Sequence, residues 1–373
     1  VCGFVGDLTN METSYIFKEF FDRTLDVKNY ESRSDNRFID TNKRENYLFN
    51  SSINGIEESD LIFLIGTNPR YEATILNARI RKSFLNNNTK VISLNDLGDL
   101  TFPYESLDGQ TQTLKDIFED NHEISKKIIA ADKPMIILGE SLLNLKSSKY
   151  FFNIIKEFLV SNDKINDDWN SFNILSSDAA TVGNFDLGLV NEHNNLLEDL
   201  QNHKFDIIYL AGQDNLNFDK KDEFIIYQGS HGDKGAEMAD IILPGSAYTE
   251  QDGFFTNLEG NLQKAYKASY PPGEAKEDWQ IINELAEVMN NRKLFNDKDE
   301  LESSMINYLN LQKEKQNSLV DQNKNISTDD FNNEALTVSV KDYYFSNVIA
   351  RSSKTMVECN NSKLNLKPTG TEG

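Results

Sequence analysis

The turn Gly66-Thr67-Asn68-Pro69-Arg70 follows an apolar run and precedes a helical pattern. The carboxyl end of a strand, ahead of a helix N-terminus, is where α/β sheets bind ligands, because unpaired N–H groups and the helix dipole favour an anion there. The same residues have a purely conformational use, since Gly tolerates positive φ and Pro starts a helix. No GxGxxG and no P-loop signature accompanies the turn, so residue types alone leave both uses open. Arg79, Arg81 and Lys82 form the only dense basic cluster of the first hundred residues. They could meet a phosphate or an acidic partner, but cations toward the end of a helix also suit its dipole, and the solvated face is the preferred reading.

Other chemistries find less support. Ser176, Asp178, His231 and Asp240 have the side chains of a hydrolase triad, yet no G-x-S-x-G elbow or spacing ties them together. The four histidines, His122, His193, His203 and His231, show no HxxxH or HExxH pattern, so each reads as a surface or core residue and no zinc site is expected. Cys2 and Cys359 are the only cysteines, with no CxxC; two thiolates fall short of the four ligands an iron–sulfur cluster usually needs. With 60 acidic against 38 basic residues, the net charge is −22 and the pI about 4.6. Such a field repels nucleic acid and anionic lipid. Paired carboxylates are too common in this chain to mark acid–base chemistry. No apolar run approaches the ~20 residues of a membrane span, and the acidic start lacks a targeting pattern. Val1 replaces an initiating Met, so residues removed or lying upstream are expected.

The elements that must position these residues alternate. Residues 9–23 read as a helix with Thr9 as N-cap and Met11, Tyr15, Ile16, Phe20 and Phe21 inward; 26–46 reads as loop. The continuous apolar run Leu61–Ile65 reads as a strand covered on both faces, and further strands are expected at 90–94, 134–138, Phe172–Leu175, 205–210, 224–227 and 241–243. Helices are expected at 71–84 (Ile75, Leu76, Ile80 and Phe84 inward), 111–131, 141–160, 190–202 and Asp278–Asn290. The alternation predicts an α/β fold of doubly wound, mostly parallel sheets. It occupies residues 1–295 with a sub-boundary near 130–165. A polar, partly disordered linker with a weak helix follows over 296–335, then a docking segment over 336–373 with a last helix at 340–356.

Two segments carry a resemblance. The order Ala239-Asp240-Ile241-Ile242-Leu243-Pro244, Glu250, Asn257-Leu258-Glu259-Gly260, Gln263, Pro271-Pro272-Gly273 and Asp278-Trp279 resembles the molybdopterin oxidoreductase superfamily. The run from Gly66 through Ala73, with Asn77-Ala78-Arg79-Ile80-Arg81-Lys82-Ser83, is similar to the large iron–sulfur subunit of respiratory complex I (NADH:ubiquinone oxidoreductase). The likeness covers roughly residues 1–290, with a fainter echo at 340–356. It implies a non-catalytic domain of the peripheral, NADH-oxidising arm, at the matrix side of the mitochondrial inner membrane without inserting into it. It also implies that the chain is the C-terminal part of a split or cleaved subunit. The iron–sulfur clusters would then lie in a partner polypeptide, the N-terminal part, beside flavoprotein and other peripheral-arm subunits. The Asn-, Lys- and Ile-rich composition fits an AT-rich genome, and a split subunit implies a mitochondrial setting.

Two departures from active relatives imply a lost cofactor: 93–97 lacks the usual Arg, and Asn261 replaces the Arg expected after Gly260. On this reading the chain has no catalytic, cofactor-binding or metal residues. Pro244, Gly245, Gly253 and Gly260 set backbone shape, and Trp279 packs. The alternatives are a fragment of an active molybdopterin oxidoreductase, such as a formate-dehydrogenase-like one, completed by another chain, and a free-standing acidic binding module.

Overall fold

A computed structural model describes residues 1–191, 196–317 and 330–365. The chain builds two five-stranded sheets and one hairpin. The first sheet contains β1 (Cys2–Val5), β2 (Tyr30–Glu31), β8 (Ile207–Ala211), β9 (Phe224–Gly229) and β10 (Ile241–Pro244), in the order β10-β9-β8-β1-β2. The second contains β3 (Leu61–Ile65), β4 (Lys90–Ser93), β5 (Glu105–Ser106), β6 (Pro134–Gly139) and β7 (Phe172–Leu175), in the order β5-β4-β3-β6-β7. Every pairing in both sheets is parallel. The antiparallel hairpin joins β11 (Gly253–Thr256) to β12 (Leu262–Ala265). The second sheet is thus inserted in the chain between β2 and β8 of the first. Residues 130–165 contain β6 and lie inside that insertion.

Helices cover both faces of each sheet, which is why its central strands are apolar without alternation. On one face of the second sheet, Leu61, Phe63, Ile65, Ile136 and Leu138 pack with α4 (Thr111–Phe118), α5 (Glu123–Ala130) and α7 (Ser148–Ser161). On the other, Ile62, Leu64 and Ile137 meet Leu76 and Ile80 of α3 (Thr74–Asn87). In the first sheet, Val5, Tyr209 and Ala211 pack with α1 (Met11–Phe20), α11 (Asp278–Asn290) and α12 (Lys298–Asn317). Cys2, Phe4, Ile208 and Leu210 meet α9 (Leu196–Gln201) and α10 (Lys234–Met238). Short α2 (Pro69–Glu72), α6 (Glu140–Leu143) and α8 (Thr181–Asp186) follow strand ends, while α13 (Val348–Ser352) and α14 (Lys354–Asn365) close the described chain.

Several expectations need correction. Asn10, not Thr9, caps α1, its side chain accepting from the Thr13 N–H at 2.9 Å; the Thr9 hydroxyl donates to the Gly6 carbonyl instead. The first helix changes to a π turn over Phe21–Leu25. The loop at 26–46 contains β2, and behind it the Arg33 and Glu31 side chains form a buried pair at 2.7 Å. Ile75 is 76% exposed rather than inward, because α2 and α3 meet at Ala73 and shift the helical phase. The spans 111–131 and 141–160 each hold two helices. The weak helix of the linker is α12, whose Leu301, Met305 and Leu309 enter the core beside Tyr15. Residues 318–329 of that linker, 192–195 of the helix expected at 190–202 (with His193), and 366–373 lie outside the described residues. The helix expected at 340–356 is two helices, α13 from Val348 and α14 from Lys354, after a 3-10 turn at Tyr343–Phe345.

Candidate functional site

In each sheet the strand order reverses at its centre, between β3 and β6 in one and β1 and β8 in the other. Open α/β sheets bind ligands at such reversals, beyond the carboxyl ends of the strands. Both reversals here carry a glycine pair. A Cβ on Gly139, at the end of β6, would run into the Gly66 carbonyl, and a Cβ on Gly6 would run into the Gly212 carbonyl. Gly66 and Gly212 both adopt positive φ, 68° and 64°.

The turn 66–70 stands where its sequence placed it, at the carboxyl end of β3 with Asn68 capping α2 and Pro69 in its first turn. Its polar groups are consumed locally. Glu72 accepts from the Thr67 hydroxyl at 2.6 Å and from the Asn68 N–H, so a carboxylate of the chain itself takes the position an anion would occupy. Burial raises the Glu72 carboxyl above its usual range against those two hydrogen bonds. The Asn68 amide donates to the Leu97 carbonyl at 3.1 Å, and Arg70 pairs with Asp99. A Cβ on Gly66 would lie 2.6 Å from the Leu142 nitrogen of α6. The chain's own backbone therefore fills this reversal.

The first sheet's reversal is charged. Asp7, which follows β1, approaches Lys341 at 3.7 Å and pairs with the Asn215 amide. Asp178, which follows β7 of the second sheet, bonds Lys341 at 2.7 and 2.8 Å. Beside them Arg37 pairs with Glu140 and with Asp35, and Glu140 accepts from the Ser177 N–H at 3.0 Å. Arg351 donates to Asp233 at 2.5 Å and to the Asn215 side-chain oxygen Oδ1 at 3.2 Å. Burial pushes both Asp7 and Asp178 upward, and the charge of Asp7 adds to the push on Asp178. Burial pulls Lys341 down, but the two carboxylates outweigh it and hold its ammonium above the usual lysine range.

The remaining sequence candidates separate. Arg79 and Lys82 both pair with Glu57, and Arg81 donates to the Thr101 carbonyl. No hydrogen bond links any two of Ser176, Asp178, His231 and Asp240; Asp240 caps β9 at Ile225, and His231 contacts Ser230. His122 caps α5 and His203 meets Glu223. Among the described residues, no three His, Cys, Asp or Glu side chains gather as a metal site, and no helix is long and apolar enough to cross a membrane. Burial raises the Cys2 thiol to about 12. Sequence reasoning missed Lys341, Arg37 and Arg44. Arg44 forms two bonds with Asp186, at 2.8 and 2.7 Å, and a third with the Gly260 carbonyl at 2.6 Å. A distant guanidinium thus reaches the glycine beside which an Arg was expected. Trp279 packs in the first sheet's core, and Gly260 has a φ of 82°; Gly245 and Gly253 fit against Asp278 and Asn10.

Two parallel sheets, one inserted in the other and both reversing at glycines, define the class. Residues 1–288 match the molybdopterin oxidoreductase family, and the chain belongs to it. Residues 307–359 match a second family, the C-terminal region of an NADH-ubiquinone oxidoreductase subunit. Similar curated proteins include the NADH-ubiquinone oxidoreductase 75 kDa subunit of Reclinomonas americana, 35% identical over 96% of this chain and 55% of its own length. Others are an NADH-quinone oxidoreductase subunit of Rickettsia bellii, 35% identical over 99% and 54%, and the mitochondrial NADH-ubiquinone oxidoreductase 78 kDa subunit of Candida albicans, 38% identical over 85% and 45%. The chain spans about half the length of these relatives. Among solved structures, a formyltransferase/hydrolase complex from Methylorubrum extorquens, solved with methylofuran, shares the fold. Its TM-score is 0.55 at 10% identity, covering 78% of this chain and 92% of that one.

The residues at the reversals do not fit the pterin nucleotide that the family name implies. Leu142 and Glu72 take up the turn at Gly66. At the other end the cations Lys341, Arg37 and Arg351 are held by carboxylates of the chain itself, Asp7, Asp178, Glu140 and Asp233, where a pyrophosphate would need free donors.

Proposed function

We propose that this chain is a non-catalytic, cofactor-free domain of the peripheral arm of respiratory complex I, on the matrix side of the mitochondrial inner membrane. It docks against a separate polypeptide that bears the iron–sulfur clusters, and against the flavoprotein and neighbouring subunits. By covering the cluster-bearing part it limits solvent access, to which cluster potentials respond. The observation that carries this reading is the self-satisfied turn at Gly66, whose donors are spent on Glu72, Leu97 and Asp99. The names of the relatives supply the setting. Fold kinship to redox enzymes would not by itself confer an activity.

Native pull-down of the chain from its source tests this, with partners identified and iron and molybdenum quantified. Recovery with iron–sulfur and flavin subunits, iron only in the partners and no molybdenum is the expected result. Molybdenum stoichiometric with the chain, without respiratory partners, would overturn it in favour of an active molybdopterin enzyme.

A further inference from the structure

Residues 330–352 run across the carboxyl edges of both sheets. Phe331 packs tilted against Tyr150 and edge-on to Phe151, with ring centroids 5.5 and 6.1 Å away, under the Lys115 ammonium. The Asn332 N–H donates to the Ser147 hydroxyl and the Glu334 N–H to the Thr111 hydroxyl, at 2.7 and 2.8 Å. Leu336 is buried in the second sheet's core, and its backbone bonds Gly109 and the Asn95 amide. The Ser339 N–H reaches the Ser141 hydroxyl at 3.0 Å, past the end of β6. Lys341 then bonds Asp178, after β7 of one sheet, and approaches Asp7, after β1 of the other. Finally Arg351 and Ser352 join the first sheet's edge at Asp233, Asn215 and Gly232.

We propose that 330–352 is a built-in strap across the paired sheet ends, and that Lys341 is its latch, one ammonium shared between a carboxylate of each sheet. An exposed lysine pair would contribute little, and the Lys341 side chain is 45% accessible. Its two acceptors decide the matter: Asp178 and Asp7 are only 11% and 16% accessible. Removing the ammonium leaves two nearby, largely desolvated carboxylates without their shared counter-charge, a penalty far beyond that of a surface pair. The strap's two ends differ in kind. Its start is held by an aromatic and a leucine in a core, its middle by charge. Loss of the latch should therefore free the middle and leave the start in place.

The test is hydrogen–deuterium exchange on the whole chain, wild type against Lys341→Gln, Lys341→Arg and Asp178→Asn. In Lys341→Gln, amides of 338–345 are expected to exchange at least about tenfold faster, while those of 331–336 keep wild-type protection. Lys341→Arg, which retains the cation, should restore the wild-type pattern. Asp178→Asn removes one acceptor with less damage and should loosen the same amides to a smaller degree, so the reading survives a Lys341→Gln protein that fails to fold. Wild-type exchange at 338–345 in both Lys341→Gln and Asp178→Asn would overturn the latch and leave the strap held by its apolar start alone. Uniform loosening of 331–345 would overturn it equally.

Discussion

At the centre of the second sheet, backbone from α6 fills the space over Gly66 and Gly66 itself fills that over Gly139, whereas at the centre of the first, charged side chains gather beside Gly6 and Gly212. The two reversals share a glycine pair and a positive φ at one member of it, on sheets whose strands follow different orders. They differ in what arrives afterwards: a leucine-bearing turn in one, and Lys341 and Arg351 from beyond residue 330 in the other. Topology thus sets where a crevice forms, and local side chains set whether it is closed by packing or by charge. Closure by packing should fail when volume is added. Closure by charge should respond to pH and to loss of an ion.

The largest effect should come from volume at the packed reversal. Gly66→Ala forces a methyl to 2.6 Å from the Leu142 nitrogen of α6, at a φ of 68° and directly after a strand buried along its length. A loss of roughly 3–5 kcal/mol is expected in chemical unfolding. Gly212→Ala meets only Thr9 Cγ2 at 3.4 Å, so it should cost about 1 kcal/mol, from positive φ alone. Equal losses in the two variants would erase the distinction.

A smaller effect belongs to the charged half. Burial raises Glu12 of α1 to about 7, against the hydrogen bond from the Phe254 N–H and the field of Lys298; Glu302 adds to the rise. Burial likewise raises Asp278 to about 6, against hydrogen bonds from the Gln228 and Gln251 amides. Both groups sit in the first sheet's half. A folded pKa above the unfolded one gives stability that is full below the unfolded value and is lost as pH rises through the folded value. The contribution of Glu12 is therefore lost between about pH 4 and 7. Glu12→Gln should melt like the wild type near pH 4 and be more stable at pH 8, by at most on the order of 3 kcal/mol. A constant difference across that range would show that Glu12 does not titrate there. The smallest effect is expected at the basic cluster of α3. Arg79→Ala breaks a half-exposed pair with Glu57 and should move the melting temperature by less than about 1 °C.

What the sequence disclosed follows the same divide. Runs such as Leu61–Ile65 and Pro134–Leu138 were legible because double coverage makes a strand apolar along its whole length, and Asp278–Asn290 because an acid opens a clear helical period. The cysteine and glycine of β1 dilute its apolar signal, and β2 is two residues long inside polar chain. In β12, Leu262-Gln263-Lys264-Ala265 is mostly exposed and shows no core face. The insertion of one sheet in the other was hidden because β1 and β8 pair across some two hundred residues. The turn at Gly66 was found by residue type, but its closure depends on Glu72 and Leu142, which no turn signature specifies. Lys341 was unreadable as a partner of Asp7 and Asp178 for the same reason: a lone lysine in polar chain carries no mark of the two carboxylates it meets.

The pairing of β1 with β8 also sets an order of events during synthesis. The second sheet draws its strands from 61–175 and is complete once β7 has left the ribosome. Across from its short neighbour β2, the buried edge of β1 waits for Ile207–Ala211. At ~5–20 residues per second, the 36 residues from Leu175 to Ala211 make that wait about 2–7 seconds. Through it Phe4 and Val5, both fully buried in the finished fold, remain half-covered beside an already folded insert.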